Sequence, residues 1–191
     1  FAAAQLLAGV GAAAIIVGNV VALRQERLKL LIAYSTLAQI GYLFIMFPLA
    51  FDAGTGAFVR GEALAGGMLQ AISHATAKAA MFLAAGLIYA TLGHDRIADL
   101  AGAARRVPLS VLAFALGGVA LTGALPSGAY VAKKLLLGAA DASGQWWWAL
   151  VLQAGGLLTT GYVLLVLSHA LRASADAPAP PVTAAMAFSN M

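Results

Sequence analysis

The stretch L-S-V-L-A-F-A-L-G-G-V-A-L-T-G-A-L-P-S-G-A-Y-V-A-K-K-L-L-L-G-A-A, from Leu109 to Ala140, decides how the rest of the chain is read. It is apolar almost throughout, and its 32 residues exceed the roughly 20 that cross the hydrocarbon core of a bilayer. Near its middle, Gly123-Ala-Leu-Pro126-Ser-Gly128 interrupts the run. Proline has no amide donor and clashes with the preceding turn, so the spacing predicts a helix broken between Gly123 and Gly128. Broken helices in membranes line ion paths, because lipid cannot satisfy the carbonyls that the break releases. The plainer alternative is an ordinary proline kink.

Four more apolar runs flank this one. Phe1 to Leu23 ends at the charged turn Arg24-Gln-Glu26-Arg27, and Leu28 to Phe51 stops at Asp52-Ala-Gly-Thr-Gly. Ala63 to Leu92 is closed by Gly93-His94-Asp95-Arg96, and Trp146 to Leu171 completes the set. Hydrophobic residues make up 62% of the 191 and charged residues 9%, with a mean hydropathy of +0.91. A soluble domain carries about a quarter charged residues and could not bury so much apolar surface. Without strand-like alternation, the expectation is an all-α polytopic membrane bundle of about five transmembrane helices, the fourth broken near its middle.

The loops test that partition. With five spans, Arg24, Arg27, Lys29, Arg96, Arg105, Arg106 and Arg172 fall on one side and Arg60 alone on the other. This asymmetry places the basic loops in the cytoplasm, and Trp146, Trp147 and Trp148 at the outer interface. An integral protein of the bacterial inner membrane is expected. The domain expectation is a five-helix unit over residues 1–172. A Pro-rich tail over 173–191 would follow, leading into a further helix. A start at Phe1 without a basic leader suggests a fragment of something longer rather than a signal peptide. The net charge of +4 and pI near 9.7 do not indicate nucleic acid, because the basic residues are scattered singly at helix ends. With no cysteine and three separated histidines, neither an iron–sulfur cluster nor a transition-metal site is expected, and no cofactor is assigned to this chain.

Three lysines remain after the loops are assigned: Lys78, Lys133 and Lys134. A lysine at the centre of a span costs roughly 2.5–3.5 kcal/mol, and no Asp or Glu lies within any span to neutralise it. An ammonium so placed is a candidate for taking and giving protons. Gln70, His74 and Lys78 recur at i, i+4, i+8 and therefore share one helix face. Ser35, Gln39 and Tyr42 make a similar line on the second span, and Gln153 and Thr160 on the fifth. These polar positions line a pathway or, alternatively, bond helices together. Lys133 and Lys134 differ by about 100° around their helix. Only one of them is therefore expected to face the path, the other snorkelling to the outer surface.

The run Lys29-Leu-Leu-Ile-Ala-Tyr34-Ser-Thr-Leu-Ala-Gln39-Ile-Gly-Tyr42 resembles the "KRLLAYSSISQIGY" signature of the proton-conducting, antiporter-like membrane subunits. These occur in respiratory complex I, membrane-bound hydrogenases and multisubunit sodium/proton antiporters. His74-Ala-Thr-Ala-Lys78-Ala-Ala-Met-Phe-Leu is similar to that family's "HAxxKAxLFL" helix. Gly123 to Lys133 resembles its "GxPPxxGFxxK" broken helix, the lysine at the same ten-residue offset. Gln70 stands where the family often has a second histidine, Leu125-Pro126 replaces its Pro-Pro, and Lys134 replaces an acidic or aromatic residue.

The resemblance implies about fourteen spans in a full-length member, built on two inverted five-helix repeats. The present spans match the second repeat, and the glutamate–lysine pair of the first is expected upstream or in another chain. It also implies a path in which His74 and Lys78 receive a proton near the midplane and Lys133 passes it outward, with Gly123, Pro126 and Gly128 forming the break. The function expected is proton translocation as a non-redox subunit of an NADH:quinone oxidoreductase-like or hydrogenase-like assembly, alongside other membrane subunits. A subunit of a sodium/proton antiporter and a non-conducting membrane scaffold are the alternatives.

Overall fold

A computed structural model describes residues 1–52 and 54–173. The expected Pro-rich tail, from residue 174 onward, lies outside the described residues. The long helices are α1 (Ala2–Leu23), α2 (Leu28–Ala50), α3 (Gly61–Leu92) and α7 (Trp146–Ala170), each long and apolar enough to cross a membrane. Between α3 and α7 the chain makes a 3-10 turn (Ile97–Asp99), a single helical turn α4 (Ala103–Arg106), and two 15-residue helices, α5 (Pro108–Thr122) and α6 (Gly128–Ala142). Helices α5 and α6 are the two halves of the broken fourth span.

Local chemistry sets the break. Pro108 opens α5 at a position where its missing N–H is no loss. Gly123 closes α5 at φ 79°, in the left-handed region a side chain would resist. Ser127 then caps α6, its hydroxyl accepting from the Tyr130 N–H at 3.0 Å. Five intervening residues, Gly123 to Ser127, thus stop one helix and start the next.

The two halves run along one partner. At 32 residues, α3 is roughly 48 Å long, enough to carry α5 on its C-terminal half and α6 on its N-terminal half. Small residues permit the close approach. Gly117 of α5 lies against Ala77 and Met81, Gly66 of α3 against Ala132, Leu135 and Leu136, and Gly128 against Ser73. The α1–α2 hairpin closes in the same way, Gly11 on Gly41 and Gly18 on Ala38.

The exterior is apolar. Leu83, Leu109 and Leu157 are 71%, 79% and 75% exposed, an arrangement suited to lipid rather than water. Charges gather at the ends as the loop asymmetry requires. At one end Arg27 pairs with Asp95 at 3.5 Å, the Leu28 N–H donates to Asp95 O, and the Gly102 N–H donates to Arg172 O. At the opposite end Arg60 donates to Ala142 O, Gln145 to Pro48 O, and Trp148 to Gln5. Trp146 and Trp147 are exposed there.

Candidate ion pathway

Lys78 is buried at the α2–α3 contact, 5% exposed. Its ammonium donates to Ile32 O at 2.9 Å and to the Ser35 hydroxyl. Both acceptors are neutral. Ser35 donates to Ile32 O in turn, so one carbonyl of α2 serves both groups. A charge held only by neutral oxygens is solvated but not neutralised.

One turn further along α2, Gln39 begins a second tier. Its amide donates to Leu121 O at 3.4 Å and to Thr159 Oγ1 at 3.5 Å. Leu121 lies in the last turn of α5, where carbonyls lose their helical partners. Thr159 donates to Asn19 at 3.2 Å, and Asn19 donates to Ile15 O. Gln70 of α3 donates to Gln39 Oε1 at 2.7 Å. Gln39, Gln70, Asn19 and Thr159 are all buried, and with the Leu121 carbonyl they join α1, α2, α3, α5 and α7 through one polar network.

The third tier adjoins the break. Tyr42, Gln70, Leu121, Gly123 and Lys133 surround a cavity of about 10 Å³, the lower bound for a single water. Lys133 crosses beneath Gly123 and reaches Gly156 of α7 with its ammonium. Beyond it, a cleft of about 570 Å³ between α6 and α7 is lined by Lys133, Lys134, Tyr130, Asp141 and Gln153. Polar groups thus step from Lys78, through Gln39 and Gln70, to Lys133 and an open cleft.

Several expected residues occupy other places. His74 is half-buried one turn from Lys78, and its Nδ1 is buried without a hydrogen-bond partner, outside the bonded tiers. Gln153 faces the open cleft and is exposed. Thr160 turns back to bond Gly156 O of its own helix at 2.9 Å, so the inward threonine is its neighbour Thr159. Lys133 and Lys134 line the same cleft, contrary to the expectation from their angular offset. A long flexible side chain overcomes 100° of helix rotation, and depth separates the two instead: Lys133 is partly buried and Lys134 exposed. Among the described residues no three His, Asp or Glu side chains converge where a metal ion could sit.

Sequence reasoning passed over Asn19 and Thr159. Asn19 carried a signal, being an amide in an otherwise apolar span one residue after Gly18. Thr159 and Thr160 are adjacent, and only packing tells them apart.

Residues 1–159 match the family described as NADH:quinone oxidoreductase/Mrp antiporter, TM. Subunit N of the NADH-quinone oxidoreductase of Desulforudis audaxviator is 32% identical over 185 residues, which cover 93% of this chain and 35% of that protein. Subunit N of the F(420)H(2) dehydrogenase of Methanosarcina mazei is 30% identical, with 80% of this chain and 31% of that protein covered. A chain in the structure of the Mrp complex from Dietzia sp. DQ12-45-1b superposes with a TM-score of 0.79 at 27% identity, over 92% of this chain and 31% of its own length. The chain spans about a third of the length of the relatives it matches.

Proposed function

This chain belongs to the NADH:quinone oxidoreductase/Mrp antiporter transmembrane family, and from that premise we propose that it carries protons outward through the tiers between Lys78 and the α6–α7 cleft. The observation that carries the reading is the Lys78 ammonium, buried and bonded only to the neutral oxygens of Ile32 and Ser35. An amine in that setting switches between charged and neutral forms without leaving a stranded carboxylate. Lys133, one water-sized cavity beyond Gln70, is the next group able to hold the proton, and the cleft beyond it is the exit. His74 adjoins Lys78 as a second acceptor on the same helix face.

Residues 1–172 act in this reading as one five-helix unit. It works among the other membrane subunits of an oxidoreductase complex, in the inner membrane of a bacterium with its basic end in the cytoplasm. Redox cofactors and the driving reaction belong to partner subunits. The test is proton uptake by proteoliposomes containing the assembled complex, followed with a pH-sensitive dye, with wild type and Lys78→Ala compared at matched protein levels. Loss of uptake in the variant supports the reading, and wild-type uptake overturns it. Sodium-dependent uptake in place of uptake driven by the redox partner would assign the chain to a sodium/proton antiporter instead. An inert wild-type complex would make it a scaffold.

A further inference from the structure

We propose that the Gln39–Gln70 amide pair is a latch across the proton route, keeping Lys78 and Lys133 apart until it opens to water; this rests on the proton-carrying reading above. The pair lies between the two lysines. Gln39 is one turn outward from Ser35, which the Lys78 ammonium bonds, and Gln70 is two turns outward from Lys78 on α3. Both amides are buried, at 1% and 4% exposed. Gln70 walls the cavity of about 10 Å³ that Lys133 also walls, whereas Lys78, Ser35 and His74 have no part in its lining.

A carboxamide cannot carry the proton across. It is not among the side chains that titrate, and its NH2 only donates while its oxygen only accepts. The direction of each bond in this tier is also set. Leu121 O can only accept, so the Gln39 NH2 turns to α5, its Oε1 turns to Gln70, and Gln70 must present an N–H. From Gln39 the donation runs on to Thr159, from Thr159 to Asn19, and from Asn19 to Ile15 O. A run of donors that ends on a backbone carbonyl has nowhere to pass a proton. The bonds are unequal as well. Gln70 meets Gln39 at 2.7 Å, while Gln39 reaches Leu121 O and Thr159 at 3.4 and 3.5 Å, so the contact between α2 and α3 is the strongest of the three. Water can join Lys78 to the cavity beside Lys133 only when that contact parts, with Gln70 swinging aside and water taking its place on Gln39 Oε1.

The test is passive proton leak through the assembled complex in proteoliposomes, with no electron donor supplied, under a potassium diffusion potential and followed with a pH-sensitive dye. Gln70→Ala removes the donor and leaves room for water, so the leak rises about fivefold over wild type, the factor that one ordinary hydrogen bond contributes to a barrier. Gln70→Leu removes the same donor but fills the space with apolar atoms, and it leaks no more than wild type. Adding Lys78→Ala to Gln70→Ala brings the leak back to the wild-type level. An unchanged leak in Gln70→Ala overturns the latch. So does an equal leak from Gln70→Leu, which would mark loosened packing. Lys78→Ala alone, measured in redox-driven uptake, separates the two ideas. Wild-type uptake there means that the underlying reading has failed, and lost uptake beside an unchanged Gln70→Ala leak means that only the latch has. A leak that persists in the double variant overturns both.

Discussion

Gly156 of α7 and Lys133 of α6 are matched: a Cβ at position 156 would fall on the Lys133 ammonium. The absent side chain is what lets a lysine from the outer half-helix reach inward to the break. Gly156→Ala is therefore expected to expel the ammonium from this seat and to lower the translocation rate at least several-fold. Gly86→Ala, where nothing lies within 4 Å of the added carbon, should leave it unchanged. Initial rates in proteoliposomes at equal protein content check the pair.

Lys78→Arg is expected to insert and fold yet to translocate poorly. A guanidinium retains its proton at any accessible pH, so it can occupy the site without releasing anything. Rates of Lys78→Arg close to wild type would show that charge alone, not proton exchange, is required there.

Lys133→Ala should impair translocation severely and Lys134→Ala little, since only Lys133 reaches the cavity beside Gln70. The opposite ranking, measured with the same dye assay, would move the functional lysine one residue along α6. Normal rates in both variants would remove the cleft as the exit.

Gln70→Leu strands the buried carbonyl oxygen of Gln39, which accepts from Gln70 at 2.7 Å. A lost partner of this kind costs about 1–3 kcal/mol, so the melting temperature in detergent should fall. Gln70→His keeps a donor at the position and is expected to melt closer to wild type.

Asp52 offers a prediction outside the spans. The Thr55 N–H, then its hydroxyl and the Gly54 N–H, hold the carboxyl below its ordinary value of 3.8, with help from the Arg60 guanidinium. Because the folded value is the lowered one, this support of the loop is complete above the ordinary value. It is lost as pH falls through the lowered one. Thr55→Ala should raise the Asp52 titration midpoint seen by carboxyl carbon NMR.

Much of this was readable before any coordinates. Hydropathy runs fix spans because lipid forces every backbone group into a helix, and the Gly123–Gly128 break follows from proline and glycine stereochemistry alone. Lys78 and Lys133 stood out because charge is rare in apolar helices. The failures share a cause: they concern which way a side chain turns. Periodicity put Thr160 on a polar stripe with Gln153, while the packing of Gly118 against Val163 and of Gly155 against Tyr42 sets the rotation of α7 so that Thr159 and Tyr162 point inward. Lys134 shares the open cleft with Lys133 because a four-carbon stem covers more space than helix geometry allots to it.

The attachment of both half-helices to α3 restricts what can move. Gly117 fastens α5 to Ala77 and Met81 of α3, and Gly128, Ala132 and Leu136 fasten α6 to Ser73 and Gly66 of α3. The partners Gly66, Ser73, Ala77 and Met81 lie on one uninterrupted helix. A rod that splints both fragments denies the gap between them any freedom as a hinge. Rigid-body rocking, the usual way for a carrier to expose a site first to one side and then to the other, would have to tear this seam. Traffic across the gap is left to small, fast parts: a lysine stem swinging, a hydroxyl turning, a water entering and leaving. Conduction of that kind keeps the scaffold still, so a cross-link between α5 and α6 should leave it intact.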